Sequence, residues 1–312
     1  MGTISVIGSY IVALVMDSPR IPVAGETLTG SNYHVTHGGK GSNMACAAAR
    51  LGASARFVGK VGNDSFGRGF LDLLQREGVD ASGVLRSKDL PTSVGFIIAA
   101  AGGLNLIVID PGANGDFSPA DVAAARAHIA SAKVILSPLE IPLETALAGA
   151  RLAKSLGVGS ILNPAPARDL RQCDLSTVTV LTPNETEARV CLGLSPREDV
   201  AEEWLARALL ELGPENVVIT LGERGALWAG REGLFRLPAL RVPVVDTVGA
   251  GDAFNAGLAT GMSEDLPFER ALALAVSAAS LSTRKRETID SYPGRAEADA
   301  RAGEVLAGVE RC

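Results

Sequence analysis

The feature that most limits what this chain can fold into is a rhythm. Six short apolar runs rich in β-branched residues, at 4–7, 55–61, 134–136, 159–162, 178–181 and 217–221, recur with helix-like stretches between them. A strand covered on both faces reads as an unbroken apolar run, and a strand that returns parallel to its predecessor needs a long crossover, usually a helix. The chain is therefore expected to be α/β, a doubly wound and mostly parallel sheet flanked by helices. The helix ends are marked as well. Ser118-Pro119-Ala120-Asp121 offers a capping serine and a first-turn proline, and Gly52, Gly78 and Gly157 stand where helices ending at Leu51, Glu77 and Leu156 need a left-handed residue.

Two stretches interrupt the rhythm. Residues 10–36 read as extended, punctuated by Pro19, Pro22 and Gly25, with an alternation in Gly25-Glu26-Thr27-Leu28-Thr29-Gly30. Residues 93–110 read as two strands and a turn across Gly102 and Gly103. Together they predict a small β-layer inserted into a single domain spanning 1–312, a candidate lid with segments at about 10–36 and 93–110. No repeat, low-complexity tract or charge run marks a linker.

Composition removes several classes. With 35 Asp plus Glu against 29 Lys plus Arg, a net charge of −6 and no basic tract, general nucleic-acid or anionic-membrane binding is not expected. The longest apolar stretch, 94–109, contains Gly95, Gly102, Gly103 and Asn105, so no membrane span is expected either. Cys46, Cys173, Cys191 and Cys312 form no C-x-x-C pair and no zinc-like spacing with histidine. The N-terminus lacks a basic n-region, and Val6 stands where myristoylation needs Ser or Thr. A reduced, cytoplasmic protein is expected.

The chemistry gathers in Val244-Val245-Asp246-Thr247-Val248-Gly249-Ala250-Gly251-Asp252-Ala253-Phe254-Asn255-Ala256-Gly257. A strand is expected to end there, with a glycine turn after it and a small-residue helix from about Ala250. Backbone N–H groups then converge at a positive helix terminus, which suits an anion. Asp252 falls in the first turn beside those donors, where a carboxylate can take the proton of an attacking hydroxyl. A plain capped helix whose aspartate complements the dipole reads the same over Gly-x-Gly-Asp alone.

The longer string decides more. From Asp246 to Gly257 it resembles the C-terminal signature of the ribokinase-like, or PfkB, carbohydrate kinases, and Gly38-Gly39-Lys40-Gly41-Ser42-Asn43-Met44-Ala45 resembles the N-terminal one. Between them, Asn163-Pro164-Ala165-Pro166-Ala167-Arg168, Thr182-Pro183-Asn184-Glu185-Thr186-Glu187-Ala188 and Thr220-Leu221-Gly222-Glu223-Arg224-Gly225 follow in the family's order. The likeness covers essentially the whole chain and is strongest to the ribokinase branch. It implies phosphoryl transfer from ATP, carried with Mg²⁺, to a hydroxyl of a small sugar or sugar-like substrate. Asp252 would be the base, and the N–H groups of Gly249, Ala250 and Gly251 would hold developing charge. Gly39, Lys40, Asn43, Glu140 and Asp252 would bind the acceptor. Asn184, Glu187, Thr220, Gly222 and Gly225 would bind ATP, Glu187 would help organise magnesium, and adenine would approach Val276 and Ser277. Family members often pair through the lid, so a homodimer is expected.

The pattern is broken in two places. Where the family usually has an Asn-x-Asp that clamps substrate hydroxyls, this chain has Ile11 and Ala13. D-ribose is accordingly expected to be a poor substrate, because the hydrogen-bonding partners of its hydroxyls are gone. In Thr283-Arg284-Lys285-Arg286-Glu287-Thr288-Ile289-Asp290-Ser291, Arg286 replaces the usual glycine of a monovalent-cation loop. Either Asp246, the Val248 carbonyl and Ser291 still hold K⁺, or a cation among Arg284, Lys285 and Arg286 takes its place. A nucleoside kinase of the same fold and a non-catalytic sugar- or nucleotide-binding regulator are the competing readings. A P-loop kinase is disfavoured because no Walker A string exists, and a Rossmann dehydrogenase because Gly38-Gly39-Lys40-Gly41 is not G-x-G-x-x-G.

Overall fold

The computed structural model describes residues 2–100 and 104–312. In chain order the strands are β1 Thr3–Ile7, β2 Ile11–Ser18, β3 Ser31–Gly38, β4 Ser54–Gly62, β5 Asp80–Ser87, β6 Val94–Ala100, β7 Asn105–Asp110, β8 Val134–Pro138, β9 Gly159–Asn163, β10 Val180–Leu181, β11 Asn216–Thr220, β12 Ala226–Gly230, β13 Gly233–Leu237 and β14 Glu310–Arg311. The helices are α1 Lys40–Arg50, α2 Ser65–Arg76, α3 Gly112–Gly115, α4 Pro119–Ala124, α5 Arg126–Ala130, α6 Leu143–Ser155, α7 Glu185–Cys191, α8 Glu202–Leu210, α9 Ala250–Ser263, α10 Phe268–Ser282 and α11 Arg295–Ala307.

The large sheet runs β14-β13-β12-β11-β10-β9-β8-β1-β4-β5. Every ladder from β11 to β5 is parallel, as the apolar runs require, and an antiparallel extension closes the β11 edge. The chain leaves β1 first toward β4 and later returns to β8, so the order reverses between β1 and β8. Open α/β sheets bind ligands in the crevice at that reversal, outside the strand carboxyl ends.

Strand alternation divides the core in two. Val6, Leu136 and Val218 belong to one buried cluster with residues of α1, α2, α9, α10 and α11. Their neighbours Ile7, Ile135 and Val217 belong to the other, with residues of α4 to α8. Each fully buried Ile, Leu or Phe on either face contributes about 1.5–3 kcal/mol relative to exposure. No helix among the described residues is long and apolar enough to cross a membrane.

A second sheet, ordered β3-β2-β6-β7, stands apart from the first. Its strands occupy the two irregular stretches, with β3 running two residues past 36 to Gly38, but the alternation at 25–30 is loop, not strand, because no neighbouring strand takes up its backbone groups. The turn expected across Gly102 and Gly103 lies outside the described residues.

Other expectations are corrected in detail. α1 begins at Lys40, with Gly39 as its N-cap, so the N-terminal signature straddles a turn and the first helical turn. The strand expected to end before Asp246 is absent: Val245 N and Asp246 N donate to Thr283 O at 2.8 and 3.1 Å, at the end of α10, so this stretch crosses to a helix instead of joining a ladder. The cap signals hold. Ser118 and Asp121 form a capping box, and Gly52, Gly78 and Gly157 all have positive φ.

Candidate active site

The N-termini of α1 and α9 meet beside the reversal between β1 and β8. Gly249 caps α9 in the left-handed region at φ 81°. A Cβ there would lie 2.5 Å from Thr288 Cγ2 and 3.0 Å from the Tyr292 hydroxyl, so both backbone and space demand glycine. Val248 N donates to Asp246 Oδ1 at 3.0 Å, which closes the turn before it. Of the three N–H groups expected to face an anion, that of Ala250 points back to Thr247 O at 3.2 Å.

A line of side chains braces this turn from below. Asn255 Nδ2 donates to Gly251 O at 2.8 Å, Thr182 Oγ1 donates to Asn255 Oδ1 at 2.6 Å, and Asn163 Nδ2 donates to Thr182 O at 2.7 Å. All three residues are buried. Each comes from a different one of the strings that carried the resemblance, yet only tertiary contact shows what they do. Asn255 sits one turn after Gly251 on α9, and that i+4 spacing was the available signal.

Asp252 is 4% exposed. Asn43 Nδ2 donates to its Oδ2 at 2.9 Å, and Lys40 Nζ lies 3.8 Å from its Oδ1. Burial pushes this carboxyl up to about 6, against the pull of the Lys40 ammonium and the Asn43 hydrogen bond. Asp252 Oδ1 and Asn43 Oδ1 are buried and accept no hydrogen bond from the protein. Leaving such an acceptor unsatisfied costs about 1–3 kcal/mol, and an incoming hydroxyl would satisfy either one.

Across from α9, Gly39 at φ 92° brings the α1 turn against the backbone of β2: a Cβ there would lie 2.8 Å from Ile11 N. The first N–H groups of α1 are all engaged. Lys40 N donates to Glu140 Oε2 at 2.7 Å, Gly41 N to Ser9 Oγ at 3.3 Å and Ser42 N to Ser9 O at 2.9 Å, while Ser9 Oγ donates to Glu140 Oε2 at 2.5 Å. Glu140 thus complements the α1 dipole from across the reversal, and one of its oxygens is committed to that task. Lys40 is held charged above its ordinary range by Asp252, with Glu140 and Glu187 adding to the effect against burial.

Ile11 and Ala13 are 7% and 8% exposed. Ladder partners place Ile11 opposite Gly38 and Ala13 opposite both Thr36 and Gly95. A Cβ on Gly95 would touch Ile11 Cγ2 at 3.6 Å and Ile109 Cγ1 at 3.7 Å, so Ile11, Gly95 and Ile109 form one apolar surface.

On the other side, Asn184 and Glu187 form a capping box at α7, each side chain accepting the other's backbone N–H at 2.8 Å. Thr220 bridges to Asn184. Gly222 and Gly225 flank a single helical turn with φ of 59° and 87°. Burial raises the Glu187 carboxyl, and nearby Asp252 adds to that, while the Asn184 N–H and Lys40 oppose it. Val276 and Ser277 are buried, and Ser277 Oγ donates to Ala298 O at 2.8 Å. Among the described residues no group of three or more His, Cys, Asp or Glu side chains could hold a metal. A single carboxylate such as that of Glu187 is compatible with magnesium that arrives on a nucleotide, since Mg²⁺ is commonly bound through one or two carboxylates plus substrate phosphates. Ser291 is buried with its hydroxyl on Thr288 O, Asp246 is half-buried and Val248 exposed. Arg284 pairs with Glu297 at 2.7 Å, while Lys285 and Arg286 are exposed.

Comparison with known proteins interprets this geometry. The family model described as pfkB family carbohydrate kinase matches residues 1–295. The chain belongs to that family. It is 37% identical to a ribokinase of Haemophilus influenzae over 296 residues, covering 95% of this chain and 96% of the relative. It is 36% identical to a deoxyribokinase of Salmonella typhimurium over 293 residues, covering 93% and 95%. A solved Arabidopsis thaliana ribokinase complexed with ribose and ATP superposes with a TM-score of 0.86 at 28% identity, over 96% of this chain and 98% of that one. The fold is the ribokinase-like one, and the protein is a sugar kinase of this pfkB family.

Proposed function

We propose that this kinase moves the γ-phosphoryl group of ATP onto a hydroxyl of a small sugar, with Asp252 taking the hydroxyl proton as the new O–P bond forms. The observation that carries this is the pair of unsatisfied buried acceptors, Asp252 Oδ1 and Asn43 Oδ1, beside the α9 turn. A hydroxyl donating to Asp252 Oδ1 is aligned for deprotonation while the turn N–H groups and helix dipole favour the charge on the transferred group. Magnesium bound to the nucleotide would neutralise phosphate charge, with Glu187 as the nearby carboxylate. Lys40 and Asn43 orient the acceptor, and Asn184, Thr220, Gly222 and Gly225 form the nucleotide side. Asp252→Asn should lower kcat by about 10²–10⁴ while calorimetry finds ATP affinity within a few fold. Near-normal turnover would remove Asp252 from this role.

The acceptor is a sugar with one edge poor in hydroxyls. Ile11, Ala13, Gly95 and Ile109 offer that edge no hydrogen bond, and the likeness to a deoxyribokinase agrees. A coupled ADP assay over pentoses, deoxypentoses, tetroses, hexoses, sugar acids and nucleosides should rank 2-deoxy-D-ribose above D-ribose. A preference for ribose would overturn this reading.

The small sheet acts as the lid over that acceptor and as a dimer interface. Phe96 and Val108, register partners on one face, are 54% and 58% exposed, and Ile107 and Ile109 on the other are 52% and 48% exposed. A sheet apolar on both faces needs two covers, which the acceptor and a second copy supply. Sedimentation of Phe96→Glu/Val108→Glu should show monomer where the parent shows dimer; an unchanged dimer places the interface elsewhere.

A further inference from the structure

The four passages of chain between the large sheet and the small one converge on Tyr10. Its backbone N–H donates to Asn114 Oδ1 at 3.3 Å and its carbonyl accepts from Asn114 Nδ2 at 2.8 Å, which ties the departure after β1 to the return after β7. Val12 N donates to Ser93 O at 2.9 Å and Ser93 Oγ to Asp110 O at 2.6 Å, so the passage before β6 joins the same knot. The remaining passage, from β3 into α1, is held by the side chain: the Tyr10 hydroxyl and His37 Nδ1 share a hydrogen bond of 2.8 Å. The Tyr10 ring is 2% exposed and stacks on Phe70 of α2 at 4.0 Å between centroids.

Two residues beyond His37 stands Gly39, where a Cβ would lie 2.9 Å from Tyr10 Cα, and then come Lys40 and Asn43, whose side chains face Asp252. We propose that Tyr10 is a positioning residue for the acceptor: through His37 it fixes residues 38–43 against the core, and so sets the distance from the acceptor turn to Asp252. The hydrogen bonds and ring contacts of Tyr10 go to Asn114, His37 and Phe70, all on the acceptor side. Its loss therefore acts through the acceptor turn. Ser9 and Ile11, on either side of it, meet Glu140 and the apolar edge, which makes residues 9–11 the junction of all acceptor-side parts. The kinetic consequence rests on the sugar-kinase reading above; the structural one does not.

Tyr10→Phe keeps the ring stack and deletes only the hydroxyl. Hydrogen exchange of the unliganded protein should then quicken at residues 36–43, with 249–256 unchanged. With D-ribose and 2-deoxy-D-ribose as probes, acceptor kcat/KM should fall roughly three- to tenfold, the weight of one neutral hydrogen bond, while the KM for ATP stays within twofold. His37→Phe should cause the same exchange and also lower Tm, because it leaves the Tyr10 hydroxyl buried without a partner. The double variant should recover Tm but not the slow exchange. Unchanged exchange at 36–43 in Tyr10→Phe would overturn the proposal, as would full recovery of slow exchange in the double variant. If neither pentose is turned over, the acceptor reading falls and exchange alone decides the role of Tyr10.

Discussion

The α9 turn and the apolar wall of the proposed acceptor site are built from different materials. The turn is backbone: a left-handed Gly249, helix N–H groups and one buried carboxylate, braced by Asn255, Thr182 and Asn163. The wall is side chains and missing side chains, Ile11, Ala13, Gly95 and Ile109, drawn from three strands of a separate sheet. Backbone chemistry tolerates little change and serves any phosphoryl acceptor. Side-chain chemistry changes one residue at a time, and here it has lost the polar residues that the family string leads one to expect. On the proposed function, one fold keeps its reaction and alters its substrate.

The largest break in that contrast should come from Gly249→Ala. The new methyl would meet Thr288 Cγ2 at 2.5 Å in a left-handed backbone, so the turn must shift. kcat should fall by about 10²–10³ and stability by about 1–3 kcal/mol, read from steady-state rates and thermal melts. A mild effect would mean that the turn is more plastic than its bracing implies.

On the wall the effect should be smaller and should change direction with substrate. Ile11→Asn combined with Ala13→Asp restores hydrogen-bonding groups, and the D-ribose to 2-deoxy-D-ribose ratio of kcat/KM should rise by about 10- to 100-fold. If both sugars gain equally, those positions do not read the hydroxyl.

The smallest effects on rate near neutral pH concern protonation. Because burial holds Asp252 at about 6, kcat/KM should lose about tenfold for each pH unit below that value and level off above it. The stability consequence has the opposite sense. A carboxyl raised from 3.8 to about 6 binds its proton more tightly in the folded chain, so folding is favoured at low pH and that stability is lost as pH rises between the two values. Asp252→Asn should therefore melt higher at pH 7, by about 3 kcal/mol in stability, with the gain vanishing below about pH 4. Equal melting of the two proteins at pH 7 would show that Lys40 and Asn43 fully offset the burial.

Much of the molecule was legible in the chain. Apolar runs became parallel strands because a strand covered on both faces has no polar side to show, and Gly39 and Gly249 proved to be turn residues because nothing larger fits. The edge strands β5 and β14 and the antiparallel strands β12 and β13 were not among the runs, since edge and antiparallel strands lack that unbroken apolar signal. The stretch at 244–245 looked like a strand and is not one, because strand residues need a ladder partner and Thr283 takes their N–H groups instead.

The sequence by itself determined the class of fold, the glycine turns and the identity of the buried carboxylate, since these depend on local periodicity, left-handed backbone and one motif. Only the tertiary structure decided that Glu140 caps α1, that Asn163, Thr182 and Asn255 brace the α9 turn, and that Tyr10 joins the passages into the small sheet. Apart from the i+4 bond of Asn255 to Gly251, those contacts link residues 19 to 131 positions apart, and no local pattern encodes a hydrogen bond whose partners meet only after the sheet has formed.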